Sequence, residues 1–465
     1  MYLTLTFCQK EMLMENQKNI SSFEKLLARP ANVIFLSFLS VILIGTLMLL
    51  LPAASKSSDA TDFIDALFTA TSATCVTGLI VFDTATKWSL FGQIVILLLI
   101  QIGGLGLITL ATFFTSILGK KIGLKGRIVA QEQISHISFT GVLDLIKKVV
   151  IITLAAEAIG TIALSFSFVP EYGTRGIYVS FFHAVSAFCN AGFDIMGNFT
   201  SLTAYSSNWL VVLTVAALII FGGLGFMVWQ DVYSSRKLKN MLLHTKMVAA
   251  MTVILLFAGT VFFFLFERSN ASTLGPLSLQ NKLLNSFFMS VTTRTAGFNT
   301  IDINDMSEIS KIFTCLFMFI GAAPGSTAGG VKVTTIAILL AVMMSQIRGR
   351  QETLVFGKRI IQPVIMKALT IVGLSSLWVI ITTTVILGIE GGNFINVLYE
   401  VTSAFGTVGL STGMTPSLSL IPKILIILTM FFGRIGPLTF AISMTLKSAG
   451  YDNKMIRPEG KVAVG

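Results

Sequence analysis

The feature that most constrains this chain is a short apolar lead-in that ends in a small polar loop and one glycine, and that occurs four times. Phe63 to Leu79 reads FIDALFTATSATCVTGL, and Phe394 to Leu410 reads FINVLYEVTSAFGTVGL. Phe63 matches Phe394, Thr71 matches Thr402, Ser72 matches Ser403 and Gly78 matches Gly409. Two degraded copies lie between them, FFHAVSAFCNAGF from Phe181 to Phe193 and FFMSVTTRTAGF from Phe287 to Phe298. Aligned on the last glycine, the loops are 74–78, 188–192, 293–297 and 405–409, and only the glycine is common to all four. A residue kept while its neighbours drift is kept for its backbone, and glycine reaches φ > 0 without a steric penalty. That conformation can turn successive carbonyls toward one axis, where four such loops replace the hydration shell of a small cation. The alternative is four helix-terminating glycines, against which stands an apolar lead-in of matching length before every copy.

Composition places these loops in a bilayer: 54% hydrophobic residues, 12% charged residues and a mean hydropathy of +0.83 describe a polytopic membrane protein. The first span runs from Val33 to Leu51 without a charge, long enough for a hydrocarbon core of about 30 Å, and Pro52 ends it. A loop and then the run Trp88 to Leu118 complete a unit of span, re-entrant loop, span. The unit recurs with Val149 to Val169 and Trp209 to Gln230, with Met247 to Phe266 and Ile312 to Ile347, and with Ala368 to Ile389 and Ile424 to Leu446. The expected fold is therefore all-α, with four M1-P-M2 repeats, eight transmembrane helices and four re-entrant loops around a central pore. Irregular backbone at membrane depth is tolerated only where protein buries it or it lines a wet cavity. The expected divisions are an N-terminal segment 1–32, repeat 1 at 33–119, a loop 120–148, repeat 2 at 149–232, a loop 233–246, repeat 3 at 247–347, a loop 348–367, repeat 4 at 368–446 and a tail 447–465.

The net charge of +11 does not indicate nucleic acid, because the basic residues sit between apolar spans without a basic domain or an aromatic-basic face. Most of them fall on one side, Lys10 to Arg29, Lys120 to Lys148, Arg236 to Lys246, Arg348 to Lys367 and Lys447 to Lys461, and only Lys56, Lys87, Arg175, Arg268, Lys282, Arg294, Lys311 and Lys423 on the other. By the positive-inside rule those connections and both termini are cytoplasmic. The other side, with Asp59, Asp62, Asp65, Asp83, Glu171, Asp194, Glu267, Asp302, Asp305, Glu308, Glu390 and Glu400, is acidic on balance and concentrates cations. Cys8, Cys75, Cys189 and Cys315 form no CxxC pair and read as reduced, small apolar residues. His136, His183 and His244 are dispersed, and no enzyme motif or metal set appears. MYLTLTFCQKEML lacks the pattern of a signal peptide, and Met14 is an alternative start to Met1.

Four such units with one glycine per loop, together with Ala328-Gly329-Gly330-Val331-Lys332, resemble the Trk/Ktr/HKT potassium transporter superfamily, and length and short loops look most like its Ktr-type membrane subunits (KtrB). The resemblance implies a plasma-membrane potassium-translocating homodimer, each protomer with its own pore, on a cytoplasmic ring of RCK-type nucleotide-binding regulators (KtrA-like). The chain itself would carry no cofactor: K+ is the permeant ion, Na+ a coupling or regulatory ion, and nucleotide belongs to the partner. The filter backbone is then Val76, Thr77 and Gly78, Asn190, Ala191 and Gly192, Thr295, Ala296 and Gly297, and Thr407, Val408 and Gly409. Glycine at 78 resembles the potassium class over members with serine there that favour sodium.

The second spans carry a further repeat, Gly103-Gly104-Leu105-Gly106, Gly222-Gly223-Leu224-Gly225, Gly321-Ala322-Ala323-Pro324 and Gly433-Arg434-Ile435-Gly436. In the first two copies small residues suggest close helix packing. The third continues through Gly325, Ser326, Thr327, Ala328, Gly329 and Gly330, so its helix must break, and the resemblance makes 321–330 a gate beneath the filter. Lys332 and Arg434 are cations at membrane depth, a functional hypothesis by default, either holding the gate or repelling permeant ions; an Arg434 bonded to helix-end carbonyls is the alternative. Glu157, inside the first span of the second repeat, is expected in outer, lipid-side packing and not in the pore lining, with a protonated or carbonyl-paired glutamate as the alternative. Arg294, aligned with Cys75 and Gly406, is expected to point behind the filter and pair with a carboxylate such as Glu400. The competing function is a sodium- or proton-coupled symporter with alternating access.

Overall fold

The computed structural model describes residues 30–57, 60–106, 109, 142–235 and 237–436. The expectations for 1–29, including the choice between Met1 and Met14, for most of the loop 120–148, for the tail 447–465 and for the far halves of the spans ending at Leu118 and Leu446 lie outside the described residues.

The uncharged run after Pro30 forms one helix, α1 (Pro30–Leu49), which satisfies its own backbone as a hydrocarbon surrounding demands. After Pro52 come a short helix, α2 (Phe63–Thr74), and a third, α3 (Leu90–Leu105). The order of long helix, short helix, loop and third helix then recurs. It is seen in α4 (Val142–Tyr172), α5 (Arg175–Phe188) and α6 (Trp209–Gly223), the last followed by α7 (Phe226–Ser235). It is seen again in α8 (Leu243–Glu267), α9 (Leu279–Thr292) and α10 (Glu308–Phe319), followed after a non-helical stretch by α11 (Val333–Ile347). The last set is α12 (Gln362–Glu390), α13 (Phe394–Gly406) and α14 (Leu420–Ile435).

Among the described residues four helices are long and apolar enough to cross a membrane singly, Asn32–Leu49, Ile146–Tyr172, Leu243–Glu267 and Gln362–Glu390, and these lead the four sets. Their outward faces carry Ile44, Phe166, Phe257 and Ile380, each more than half exposed, an apolar surface suited to lipid and not to water. The run Trp209 to Gln230 is not the single straight span its hydropathy suggests. It bends by 88° between α6 and α7, because Gly225 takes φ +88° at the turn, outside the right-handed helical region, so no helix can run through it.

The short helices are buried nearly to their ends, and their Ser, Thr and Ala side chains permit close approach. Asn393 caps α13 at the Ile395 N–H, and Ser278 caps α9 at the Asn281 N–H. Ser89, Asn208 and Ser307 cap α3, α6 and α10 in the same way. The sets pack cyclically: α3 lies on α5, α6 on α9, α10 on α13, and α14 returns to α2. One small departure from an all-helical chain is an antiparallel hairpin that pairs Leu354 with Arg359 and Val355 with Lys358.

Candidate functional site

The C-termini of the four short helices bring their loops together at the centre of this cycle. Each glycine has positive φ, +90° at Gly78, +69° at Gly192, +83° at Gly297 and +93° at Gly409. A second left-handed residue stands two positions earlier in every copy: Val76 (φ 58°), Asn190 (59°), Thr295 (71°) and Thr407 (50°). The glycines close a ring. A Cβ on Gly78 would stand 2.5 Å from the Ala191 carbonyl, on Gly192 2.7 Å from that of Ala296, and on Gly297 2.5 Å from that of Val408; on Gly409 it would strike the carbonyl of Thr77. Each glycine is thus required twice, by its handedness and by the backbone of the next loop.

The loop N–H groups turn back into the short helices. Thr77 N donates to the Ser72 carbonyl (2.8 Å) and Gly78 N to its Oγ (3.1 Å); Val408 N (2.8 Å) and Gly409 N (3.0 Å) use Ser403 identically. In the other two loops the hydroxyl donates instead, Ser186 Oγ to the Phe193 carbonyl (2.7 Å) and Thr292 Oγ1 to that of Phe298 (2.6 Å). Their backbone carbonyls accept Ala191 N (2.7 Å) and Ala296 N (3.0 Å). Sequence reasoning paired Ser72 with Ser403 but gave the four hydroxyls no task. The third loop hides the pattern, since Thr292 lies five residues before its glycine where the other three lie six before theirs. Among the described residues no protein donor reaches the carbonyls of Val76, Thr77, Asn190, Ala191, Thr295, Ala296, Thr407 or Val408. Carbonyl oxygens without protein donors, on loops packed glycine against backbone, have the chemistry to replace a cation's water.

On the C-terminal side of the short helices, residues 320–332 are non-helical and cross from α10 to α11. The crossing bonds to the second and fourth sets, and Arg434 of the fourth ties it to the end of α3 in the first. Ala323 N donates to the Gly223 carbonyl (3.1 Å), Thr327 Oγ1 to that of Phe188 (3.3 Å) and Gly330 N to that of Gly433 (3.3 Å). Arg434 donates to the Thr327, Gly103 and Gly104 carbonyls; two of these end α3, so the helix-end bonding and the loop contact are the same arrangement. Lys332 Nζ folds back onto the carbonyls of Ala328 (2.6 Å) and Gly329 (3.2 Å). Beyond the crossing lies a cavity of 440 Å³ bordered by Phe38, Ser326, Lys332, Val364, Lys367 and Arg434. Gly103, Gly222 and Gly433 admit the carbonyls of Thr74, Phe188 and Phe405 where a Cβ would collide. These glycines do pack closely, and the motifs also stop their helices, with Gly106 at φ +83°, Gly225 at +88° and Gly436 at +92°.

Two expectations are corrected. Arg294 does not pair with Glu400: its Nη2 donates to Thr252 Oγ1 on α8 at 3.3 Å. Glu400 is already filled by its own neighbourhood, accepting from Ser411 Oγ, Thr412 N (3.0 Å) and Thr415 Oγ1 (2.8 Å) just past the fourth loop. Glu157 does not face outward but is buried, 3% exposed, with Oε2 3.4 Å from Gln101 Nε2. The described cysteines, Cys75, Cys189 and Cys315, are free and buried.

Comparison with known proteins identifies the family of the chain. The TrkH family, described as a cation transport protein, matches residues 3–453. Ktr system potassium uptake protein B of Bacillus subtilis is 43% identical, covering 94% of this chain and 97% of its own length. Potassium/sodium uptake protein NtpJ of Enterococcus hirae is also 43% identical, with 94% and 97% covered. Among solved structures, the potassium transporter TrkH from Vibrio parahaemolyticus superposes with a TM-score of 0.69 at 19% identity, covering 88% of this chain and 84% of that one, a likeness of fold.

Proposed function

Because the chain belongs to the TrkH family of cation transport proteins, we propose that it is the potassium-translocating membrane subunit of a Ktr-type uptake system and conducts the ion through its four glycine loops. The observation that carries this reading is the closed ring of Gly78, Gly192, Gly297 and Gly409, with the unpaired carbonyls beside them. Their orientation is already fixed by hydrogen bonds to the short helices, so a desolvated cation meets oxygens that need not reorganise. The chain is a transporter and not an enzyme, as the relatives named for potassium uptake are.

In this reading the four helix sets are M1-P-M2 repeats with eight crossings, seated in the plasma membrane with both termini cytoplasmic, and 320–332 is the gate. The subunit works as a homodimer on an RCK-type regulatory ring that binds the nucleotide. A second reading, coupling of potassium to sodium, is favoured by the name of the 43% identical potassium/sodium uptake relative; it requires potassium uptake that stops when external sodium is removed.

The test is uptake by a strain lacking potassium transporters, with the parent chain, Gly78→Ser and Gly409→Ser. Serine in a left-handed conformation costs about 1 to 2 kcal/mol, and its Cβ displaces the adjoining carbonyl. We expect the KM for potassium to rise roughly tenfold and discrimination against sodium to narrow. Parental affinity and selectivity in both variants would overturn the filter assignment.

A further inference from the structure

We propose that Glu157 is a specificity-determining positioning residue of the second loop, acting on it through Gln101 and Cys189; this rests on the filter reading above. Cys189 is the residue before left-handed Asn190, so its side chain fixes where the Asn190-Ala191-Gly192 backbone begins. Its Sγ lies 3.5 Å from Gln101 Oε1 and 4.0 Å from Glu157 Oε1. Gln101 in turn offers Nε2 to Glu157 Oε2 at 3.4 Å. The three groups form a triangle contributed by α3, α4 and the second loop. Gly104 makes room for it, since a Cβ there would stand 2.7 Å from Cys189 Sγ.

The four sets support this backbone position in four ways. Cys75 packs among apolar side chains, Arg294 reaches Thr252, and at Gly406 there is no side chain and a Cβ would meet the carbonyl of Met318. Among these four supports only the second includes a carboxyl. It also crosses between sets, since Gln101 comes from the first and Glu157 and Cys189 from the second. A buried carboxyl without hydrogen-bonding neighbours would be costly, so Glu157 and Gln101 hold each other in place, and together they fix the thiol. Removing the carboxyl frees the amide and the thiol to reorient, and the carbonyls of Asn190 and Ala191 lose their fixed separation from those of the third loop.

The experiment compares the parent with Glu157→Ala, Glu157→Gln and Gln101→Ala in the uptake strain at matched membrane expression, measuring KM and Vmax for potassium and its selectivity over sodium. We expect Glu157→Ala to raise KM about tenfold and narrow selectivity with Vmax within about twofold of the parent. Glu157→Gln retains an acceptor for Gln101 and restores both. Gln101→Ala reproduces Glu157→Ala, and the double variant is no worse than either single one because one chain of contacts is broken once. Parental KM and selectivity in Glu157→Ala, or equal impairment in Glu157→Gln, overturns the proposal; if Glu157→Ala does not reach the membrane, parental values in Gln101→Ala do so. Failure of the parent itself to take up potassium counts instead against the filter reading.

Discussion

At the scale of single residues, the four loops share a backbone handedness and little else. Their glycines were legible in the sequence, because glycine is what remains when a position needs φ > 0 and the neighbours drift. The left-handed residues two positions earlier were not legible, since Val76, Asn190, Thr295 and Thr407 have no common side chain. A β-branched residue in that region costs about 1 to 3 kcal/mol and persists only where its surroundings over-determine it, here through the hydroxyl and carbonyl of Ser72, Ser186, Thr292 and Ser403. Two residues past Gly192, partly buried Asp194 carries a testable consequence. Burial pushes its carboxyl up to about 7, the Asp83 charge adds to this, and the Met196 N–H opposes it. The acid is therefore neutral below that pH and charged above it, and a carboxylate on the acidic side of the loops attracts cations. The KM for potassium should fall by about two- to threefold as external pH rises from roughly 6 to 8, and Asp194→Asn should make the profile flat. The linkage has the opposite sign for stability: the raised carboxyl stabilises the folded chain below its unfolded value near 3.8, and that contribution is lost as pH rises through about 7. A profile in Asp194→Asn as steep as in the parent would assign the dependence to another group.

At the scale of elements, hydropathy located the helices but not the places where they stop. The third copy of the second-span motif announces its break through proline and four glycines, whereas Gly106 and Gly225, which also end helices, read in sequence as packing residues. A single glycine costs a helix only about 1 kcal/mol, so its φ is decided by what packs around it, which one sequence does not state. Intramembrane charge was legible for the same reason that it is costly, but the partners of Arg294 and Glu157 were not, because they come from helices that only the fold brings near. One ion pair shows how the elements close on each other. Lys423, in the first turn of α14, donates to Asp65, in the first turn of α2, at 2.7 Å, with both side chains about seven-eighths buried. A helix N-terminus favours Asp65 and disfavours Lys423, so the lysine depends on its partner more than the aspartate does. Asp65→Asn should therefore destabilise more than Lys423→Met, by about 2 to 3 kcal/mol against about 1, and Asp65→Lys with Lys423→Asp should recover only part. Thermal denaturation of the purified chain in detergent measures this; equal losses in the two single variants would show that the helix termini contribute nothing.

At the scale of the whole molecule, the four sets pack cyclically around the glycine loops, and 320–332 bonds across to the second and fourth of them. The repetition of four units was readable from sequence, whereas the order in which they touch, each third helix on the next short helix, is a property of the closed ring. The crossing is held at several points at once: Gly223, Phe188 and Gly433 carbonyls receive its donors, and Arg434 joins its Thr327 carbonyl to the end of α3. Few side chains are involved, so the segment can leave as a unit once these backbone bonds are exchanged for water, and its glycines lower the barrier to that change. Were 320–332 the gate, Arg434 would act in two ways. It ties the segment down, and a fixed cation about 4 Å from a permeating one costs on the order of 4 kcal/mol at an effective dielectric of 20. If the crossing is the gate, deleting residues 325–329 and, separately, Arg434→Ala should each raise maximal potassium uptake and reduce its dependence on the regulatory ring. Selectivity should be retained if the hydrogen bonds within the loops and short helices suffice to hold Gly78, Gly192, Gly297 and Gly409, since the crossing also touches two loops, Thr327 donating to the Phe188 carbonyl and Gly329 lying against Thr407. The comparison is uptake with and without the regulator at matched membrane expression. Lower uptake in both variants, with normal expression and assembly, would make 320–332 a structural tie between the four sets and move the gate elsewhere; higher uptake with lost selectivity would mean that the crossing also supports the filter.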